Sequence, residues 1–259
     1  MPEQIEIPAS FAAPGDVTGK RVVITGASRG LGRLLAHAFS SAGASVALVA
    51  RTETDLKTVA AELPGPAIVV AGEVTDAAFN EAVADAAAAE WGGVDVWICN
   101  AGISPVFASL RDTDPDTWRA VLDVNLTGAF LGARAAARVM GNGGRLIFTG
   151  SVLGERPRAG LVAYSASKAG LVGLAKGLAL DLAPAGITVN VVAPGWFDSP
   201  LAEPWKNHPD LGAAVLDHTA QGRWGAASDL AGAYQFLASD ASAFVTGTVL
   251  SVDGGYLLV

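Results

Sequence analysis

Thr25-Gly26-Ala27-Ser28-Arg29-Gly30-Leu31-Gly32 decides how this chain folds, because it follows a β-branched run, Arg21 to Thr25, and opens an amphipathic stretch, Leu31 to Ala42. Gly26 permits a sharp turn, Gly30 lets backbone N–H groups approach a pyrophosphate, and Gly32 allows tight helix packing, with the helix N-terminus facing the anion. Ser28, Arg29 and Leu31 belong to the same candidate dinucleotide loop. A plain tight turn is the competing reading; the strand-turn-helix context argues against it.

Outward from that turn the same alternation repeats, as in βαβ units with a parallel sheet. Further β-branched runs are Ser45 to Ala50, Ala67 to Gly72, Asp95 to Cys99, Arg145 to Thr149, Ile187 to Ala193 and Thr248 to Val252. Helical stretches are expected at Glu53 to Leu63, Asp76 to Trp91, Pro115 to Met140, Val162 to Leu182 and Ser228 to Ser239. The reading is one α/β domain over 19–259, preceded by a loosely ordered arm over 1–18 and carrying a substrate-loop region at 196–225. Pro200 to Gly222, with its prolines and mixed charge, reads as a mobile lid over a cleft.

Composition narrows the function classes. Hydrophobic residues make up 51% and charged residues 16% of 259, which excludes disorder. A net charge of −8 and a pI near 4.8 argue against nucleic acid, which needs a basic face. The single cysteine, Cys99, allows no intrachain disulfide and fits a reducing, cytoplasmic setting. Three histidines form no ligand-spaced set, so no metal is expected, and the N-terminal stretch has neither a signal-peptide nor a membrane-span pattern.

Open parallel sheets bind ligands beyond the carboxyl ends of their strands. Arg51-Thr52 follows the second strand where an NAD site places an acid; with Arg29 it points to the 2′-phosphate of NADP(H) rather than to NAD(H), although Glu53 lies close. Glu73-Val74 follows the third strand, where an acid accepts from an adenine amino group. Asn100-Ala101-Gly102 follows the fourth, and Asn100 either lines the cofactor or caps its own backbone. Pro194-Gly195 ends the sixth, so that the backbone beyond, with Phe197 and Ser199, faces a nicotinamide.

Tyr164-Ser165-Ala166-Ser167-Lys168 sets a phenol and an ammonium one helical turn apart. A free phenol titrates near 10, so lowering it by roughly 2 to 3 units needs about 3 to 4 kcal/mol, within reach of a desolvated cation. Ser151 at the end of the fifth strand offers a hydroxyl to a carbonyl oxygen. Asn125, amid an apolar face before Gly128, marks a departure from regular helix that frees a carbonyl to hold water.

In this order and spacing, Thr25-Gly-x-x-x-Gly30-x-Gly32, Asn100-Ala-Gly, Asn125, Ser151, Tyr164-x-x-x-Lys168 and Pro194-Gly195 make the chain resemble the short-chain dehydrogenase/reductase family from about Gly19 to Tyr256. The resemblance implies a Rossmann fold with seven parallel strands in the order 3-2-1-4-5-6-7. It implies that Tyr164 is the general acid and base, that Lys168 lowers its pKa and bonds the nicotinamide ribose, that Ser151 orients the carbonyl, and that Asn125 holds a relay water. It further implies a homotetramer, with small residues Ala166, Ala169, Gly170 and Gly173 at a helix interface. Cys99, Glu73 and Ser199 depart conservatively from the family pattern.

Gly222-Arg223-Trp224-Gly225 and Phe236 to Asp240 resemble gluconate 5-dehydrogenase-like and 3-oxoacyl reductase-like members. Carrier-docking members place arginines where Asn142 and Ala185 stand here, so a free cyclic or sugar-like ketone is favoured over a carrier-bound 3-oxoacyl compound. The cleft wall is expected from Ile103, Val106, Val152, Leu153, Trp196 and Phe197, with Glu155, Arg156 and Arg158. The alternative reading is a cofactor-binding regulator or scaffold without turnover.

Overall fold

β-Branched and aromatic residues with both faces covered form a parallel sheet here. In the computed structural model, which describes residues 12–104, 107–198 and 202–259, the strands are β1 Arg21–Thr25, β2 Ser45–Ala50, β3 Ala67–Ala71, β4 Val94–Cys99, β5 Met140–Thr149, β6 Thr188–Pro194 and β7 Val249–Val252. They lie in the order β3-β2-β1-β4-β5-β6-β7, every pairing parallel, as the resemblance implies. The chain therefore reverses its direction across the sheet between β1 and β4, the place where such sheets open a ligand crevice.

The helices are α1 Gly30–Ser41, α2 Glu53–Glu62, α3 Ala77–Trp91, α4 Pro115–Leu122, α5 Gly128–Val139, α6 Val162–Leu182, α7 Glu203–Lys206, α8 Pro209–Asp217 and α9 Ala227–Ala238. Along each strand, successive side chains feed opposite cores. Val22, Ile24, Val96 and Ile98 pack with Leu35 and Phe39 of α1, Leu56 of α2 and Leu230 and Leu237 of α9. Val23, Trp97, Leu146 and Phe148 pack with Val83 of α3, Ala133 and Ala136 of α5 and Leu171 and Ala175 of α6. Each such fully buried side chain contributes about 1.5–3 kcal/mol, so neither face of the sheet is free to carry chemistry.

Three expectations change. The stretch Pro115 to Met140 is not one helix: a π-helical turn, Asp123–Thr127, separates α4 from α5, and Met140 already belongs to β5. Part of the segment read as a mobile lid is ordered as α7 and α8, because Ala-Ala-Val-Leu in α8 follows helical spacing once Pro209 starts it. The arm's inner end is anchored, since Val17 is fully buried in the first core. Residues 1–11, Val106 and Ser199 lie outside the described residues.

The start of β1 is held to β4 by one side chain. Arg21 donates from Nε and Nη2 to the Asp95 carboxylate at 2.8 and 2.6 Å, and its backbone N–H donates to Asp95 Oδ2 at 2.8 Å. Burial opposes the charged carboxylate, but these bonds outweigh it and hold Asp95 below its usual pKa. A depressed carboxyl adds stability above its unfolded value near 3.9, and that contribution is lost as pH falls through the lower folded value. Asp95→Asn is therefore expected to cost about 1–3 kcal/mol at pH 7 in urea unfolding. The gap to the wild type should close as the series is taken toward pH 3; a gap independent of pH would contradict the assignment.

Candidate active site

The glycine loop leaves the first turn of α1 without a side-chain cap. Arg29 is its extended N-cap residue, makes no capping bond, and no acid stands in the first turn. The orphan N–H groups of that turn are thus left for an external anion, and the positive helix end favours one. Gly26 and Gly30 adopt φ of +70 and +54°, which disfavour any side chain. Gly32 is held tighter still, because a Cβ there would lie 2.1 Å from the Gly26 carbonyl oxygen and 2.7 Å from Asn100 Nδ2. Its close approach is to the turn and to Asn100, not to the sheet. The loop fits a dinucleotide phosphate on these grounds.

Around this loop the other cofactor candidates take their places. Arg29 and Arg51 are exposed, as is Thr52 at the N-cap of α2. Glu53, the acid beside Arg51 in sequence, is paired with Lys57 at 2.7 Å. Glu73 is exposed, whereas Val74 is buried and its carbonyl accepts from Asn80 Nδ2 at 2.8 Å. Leu31 packs against the first core. Gly195 presses on Asp253, where a Cβ would meet its Cα at 2.7 Å. Phe197 departs from expectation: its ring is buried in the core beneath Gly225, so it lines no cleft and only its backbone is near the Pro194-Gly195 turn.

Asn100 neither caps its own backbone nor points its amide at a ligand. Asn100 Nδ2 donates to the Thr25 carbonyl at 2.9 Å, and the N–H groups of Asn100 and Ala101 donate to Thr25 Oγ1 at 2.9 and 3.0 Å. With its amide nitrogen spent, Asn100 Oδ1 accepts from Thr149 Oγ1 at 3.2 Å, and Thr149 Oγ1 in turn meets the Tyr234 hydroxyl at 2.8 Å. This chain ties the ends of β1, β4 and β5 to α9. Thr149 and Tyr234 were not singled out in the sequence, and Thr25 was named only as the head of the glycine motif, since a strand-end threonine gains meaning only from its sheet neighbours.

Against this rim stand the side chains of α6. Lys168 is buried and donates from Nζ to the Thr149 carbonyl at 2.7 Å; Nζ lies 5.6 Å from the centroid of the Tyr164 ring. Burial alone pushes the Lys168 amine down to about 8. Gly154 lets the loop after β5 lie on α6, since a Cβ there would be 2.9 Å from the backbone carbon of Lys168. That loop brings Ser151 into hydrogen bonding with the Tyr164 phenol, and Ser151 Oγ also accepts from the Leu153 N–H at 3.1 Å.

The expected effect of Lys168 on the phenol is not the one found. Burial raises the Tyr164 pKa above its usual value, and the bond to Ser151 is what opposes that rise. The physical reason is that Lys168 is itself desolvated and its ammonium is aimed at the Thr149 carbonyl, beside the ring and not at the hydroxyl.

Asn125 is fully engaged. Asn125 Oδ1 accepts from the Ile103 N–H at 2.8 Å, and its Nδ2 donates to the Ile103 carbonyl and to Ser167 Oγ, both at 3.0 Å. Ser167, also missed in the sequence, donates to the Tyr164 carbonyl at 2.7 Å, a helical back-bond that completes a path from the π turn to the phenol's own residue. Gly102 borders the gap, its Cβ position lying 3.4 Å from Asn125 Oδ1 and 3.6 Å from Lys168 Nζ. Among the described residues no group of three or more His, Cys, Asp and Glu could hold a metal.

In comparison with known proteins, residues 26–257 match the family described as Enoyl-(Acyl carrier protein) reductase. The 3-oxoacyl-(acyl-carrier-protein) reductase of Salmonella typhimurium is 39% identical over 243 residues, covering 93% of this chain and 98% of the relative. The cis-4-hydroxycyclohexanecarboxylate dehydrogenase of Sinomonas cyclohexanicum is 38% identical over 250 residues, covering 95% and 100%. A short-chain dehydrogenase from Burkholderia cenocepacia solved in complex with NADP superposes with a TM-score of 0.87 at 35% identity, covering 93% of this chain and 99% of that one.

Gly32→Ala is expected to weaken NADPH binding at least tenfold in a fluorescence titration and to lower the melting temperature, because backbone must move to admit the methyl. Gly232→Ala, on an exposed position of α9 with nothing within 4 Å of the added carbon, should gain up to about 1 kcal/mol. Equal behaviour of the two variants would contradict the close-approach role of Gly32.

Proposed function

The chain belongs to the short-chain dehydrogenase/reductase family and is an NAD(P)-dependent oxidoreductase of ketones and secondary alcohols; from that premise we propose that Tyr164 is its general acid and base. The observation that carries this is the meeting of a phenol, a serine hydroxyl and a buried ammonium at the carboxyl ends of β5 and α6's first turns, beside the uncapped start of α1. When bound, the dinucleotide donates or accepts hydride.

In reduction Tyr164 gives its proton to the carbonyl oxygen; in alcohol oxidation it takes that proton back. Ser151, beside the phenol and opposing the rise of its pKa, orients the same oxygen. Lys168, with Nζ 5.6 Å from the centroid of the Tyr164 ring, is placed to meet ribose hydroxyls. Asn125 acts through position: its side chain locks the Ile103 loop to α6, and the π turn around it leaves a carbonyl out of the regular helical pattern to hold a relay water.

The dinucleotide phosphates would rest on Ser28, Arg29, Gly30 and Leu31, with Ala101, Gly102, Pro194, Gly195 and Ser199 along the nicotinamide half and Glu73 and Val74 at the adenine. Arg51 and Thr52, with Arg29, favour NADP(H): Arg51 is exposed where a 2′-phosphate falls, and Glu53 is occupied by Lys57. The relative solved with NADP supports this preference. The reading includes a cytoplasmic homotetramer and residues 1–18 as an arm to the single domain. Leu180 of α6 is 79% exposed and Gly173 and Gly177 face open space, as an interface helix would have them. Gly170 lies against Leu126 of its own chain, where a Cβ would meet Cδ2 at 2.9 Å. The substrate is a small cyclic or sugar-like ketone or a 3-oxoacyl compound.

Ketone-dependent decay of NADPH absorbance tests the catalytic reading. Tyr164→Phe should lose about 10²-fold or more in kcat while still binding NADPH. Dinucleotide binding without turnover of any ketone by the wild type would favour a regulator instead. Arg51→Asp should raise KM for NADPH at least tenfold more than for NADH; equal changes would refute the 2′-phosphate contact.

A further inference from the structure

Beside Tyr164 lies an aromatic and basic cluster that the proton chemistry leaves unused. Tyr164 and Trp196 pack against one small core made by Val152, Leu153, Leu161 and Tyr256. Trp196 meets Trp224 edge-on with ring centroids 5.9 Å apart and Tyr256 at 6.2 Å. Two arginines from the loop between β5 and α6 close over these rings: Arg156 lies 5.5 Å from the Tyr256 centroid and Arg158 lies 5.6 Å from that of Trp196.

The two guanidinium groups are not equivalent. Arg156 donates from Nη1 to the main-chain oxygens of Tyr256, at 2.8 Å, and of Val259, which ties its guanidinium to the chain beyond β7. Arg158 donates only from Nε, to the Tyr256 hydroxyl at 3.1 Å. Four of its five N–H donors remain, and among the described residues no carboxylate pairs with it, in a chain whose net charge is −8. An arginine whose Cζ lies over an indole ring, half-buried and with no acid paired to it among the described residues, keeps N–H donors for a ligand.

We propose that Arg158 binds a carboxylate carried by the substrate, whose ring or flat apolar body lies along Trp196 and Trp224 while its carbonyl or carbinol reaches Tyr164. This rests on the oxidoreductase reading above and narrows it to carboxylated ketones and their alcohols. One uncommitted guanidinium matches one negative charge in the bidentate geometry a carboxylate prefers. A dianionic phosphate would find beside it aromatic faces instead of further N–H donors.

The test uses matched pairs: 4-oxocyclohexanecarboxylate and 4-oxopentanoate, each against its own primary amide, with NADPH and with NADH. The wild type should prefer the acid over the amide by tenfold or more in kcat/KM, as expected for a hydrogen bond to a charged group. Added salt should erode the preference, because only the acid depends on charge. In Arg158→Gln the acid-to-amide ratio should fall to about one, and Arg158→Lys should restore part of it. If Arg158→Gln does not fold, the wild-type ratio and its salt dependence still decide. Turnover of both members of each pair at equal rates, or an unchanged ratio in Arg158→Gln, overturns the assignment alone. No turnover of any ketone with either dinucleotide overturns the oxidoreductase reading and this proposal with it.

Discussion

The ammonium of Lys168 sits out of water with a single carbonyl, that of Thr149, to receive it at 2.7 Å. Burying a cation is costly, and the fall of its pKa from 10.5 to about 8 corresponds to about 3 kcal/mol against the charged form. One charge-assisted bond offsets part of that cost, and it does so only if β5 and α6 hold one register. Gly154 makes that register possible by letting the intervening loop touch the helix backbone at Lys168. Ser151, Tyr164 and Asn125 then take their positions from the same junction. A side chain that is expensive to bury thus sets the geometry of the proposed proton-transfer site.

The rim beneath it is rigid for a related reason. Asn100 Nδ2 donates to the Thr25 carbonyl and its oxygen accepts the one hydroxyl proton of Thr149, so Tyr234 must donate to Thr149. Each donor has one direction available. Such a chain, buried between three strand ends and α9, resists rearrangement, since breaking any link strands a polar group away from water. Burial accordingly holds the Tyr234 hydroxyl well above its usual pKa, so it serves the rim as a fixed donor and not as a second acid.

The strands and most helices were legible because alternation and β-branched runs reflect burial on two faces, which is a local property of sequence, whereas the strand order came from the family resemblance. The π turn at Asn125 was visible as a polar residue before a glycine, although the stretch still read as one helix. What was not legible depends on contacts across the chain. Phe197 reads as a cleft residue beside Trp196, yet Gly225, far along the sequence, opens a core site for its ring. Pro204 and Pro209, read as loop residues, stand at the starts of α7 and α8. The Tyr164 and Lys168 spacing specifies a shared helix face but says nothing of the Thr149 carbonyl that the Lys168 ammonium meets. Arg158 was named in the sequence, but only the structure separates it from Arg156.

The central claim is that Lys168 is a desolvated ammonium bound to the sheet, and a side-chain NMR titration of isotopically labelled lysine, assigned with Lys168→Met, measures it directly. The account predicts one amine titrating near 8 while the other lysines stay near their ordinary 10.5. A Lys168 resonance titrating with the others would show a solvated amine, and the junction of β5 with α6 would then have no buried charge to organise it.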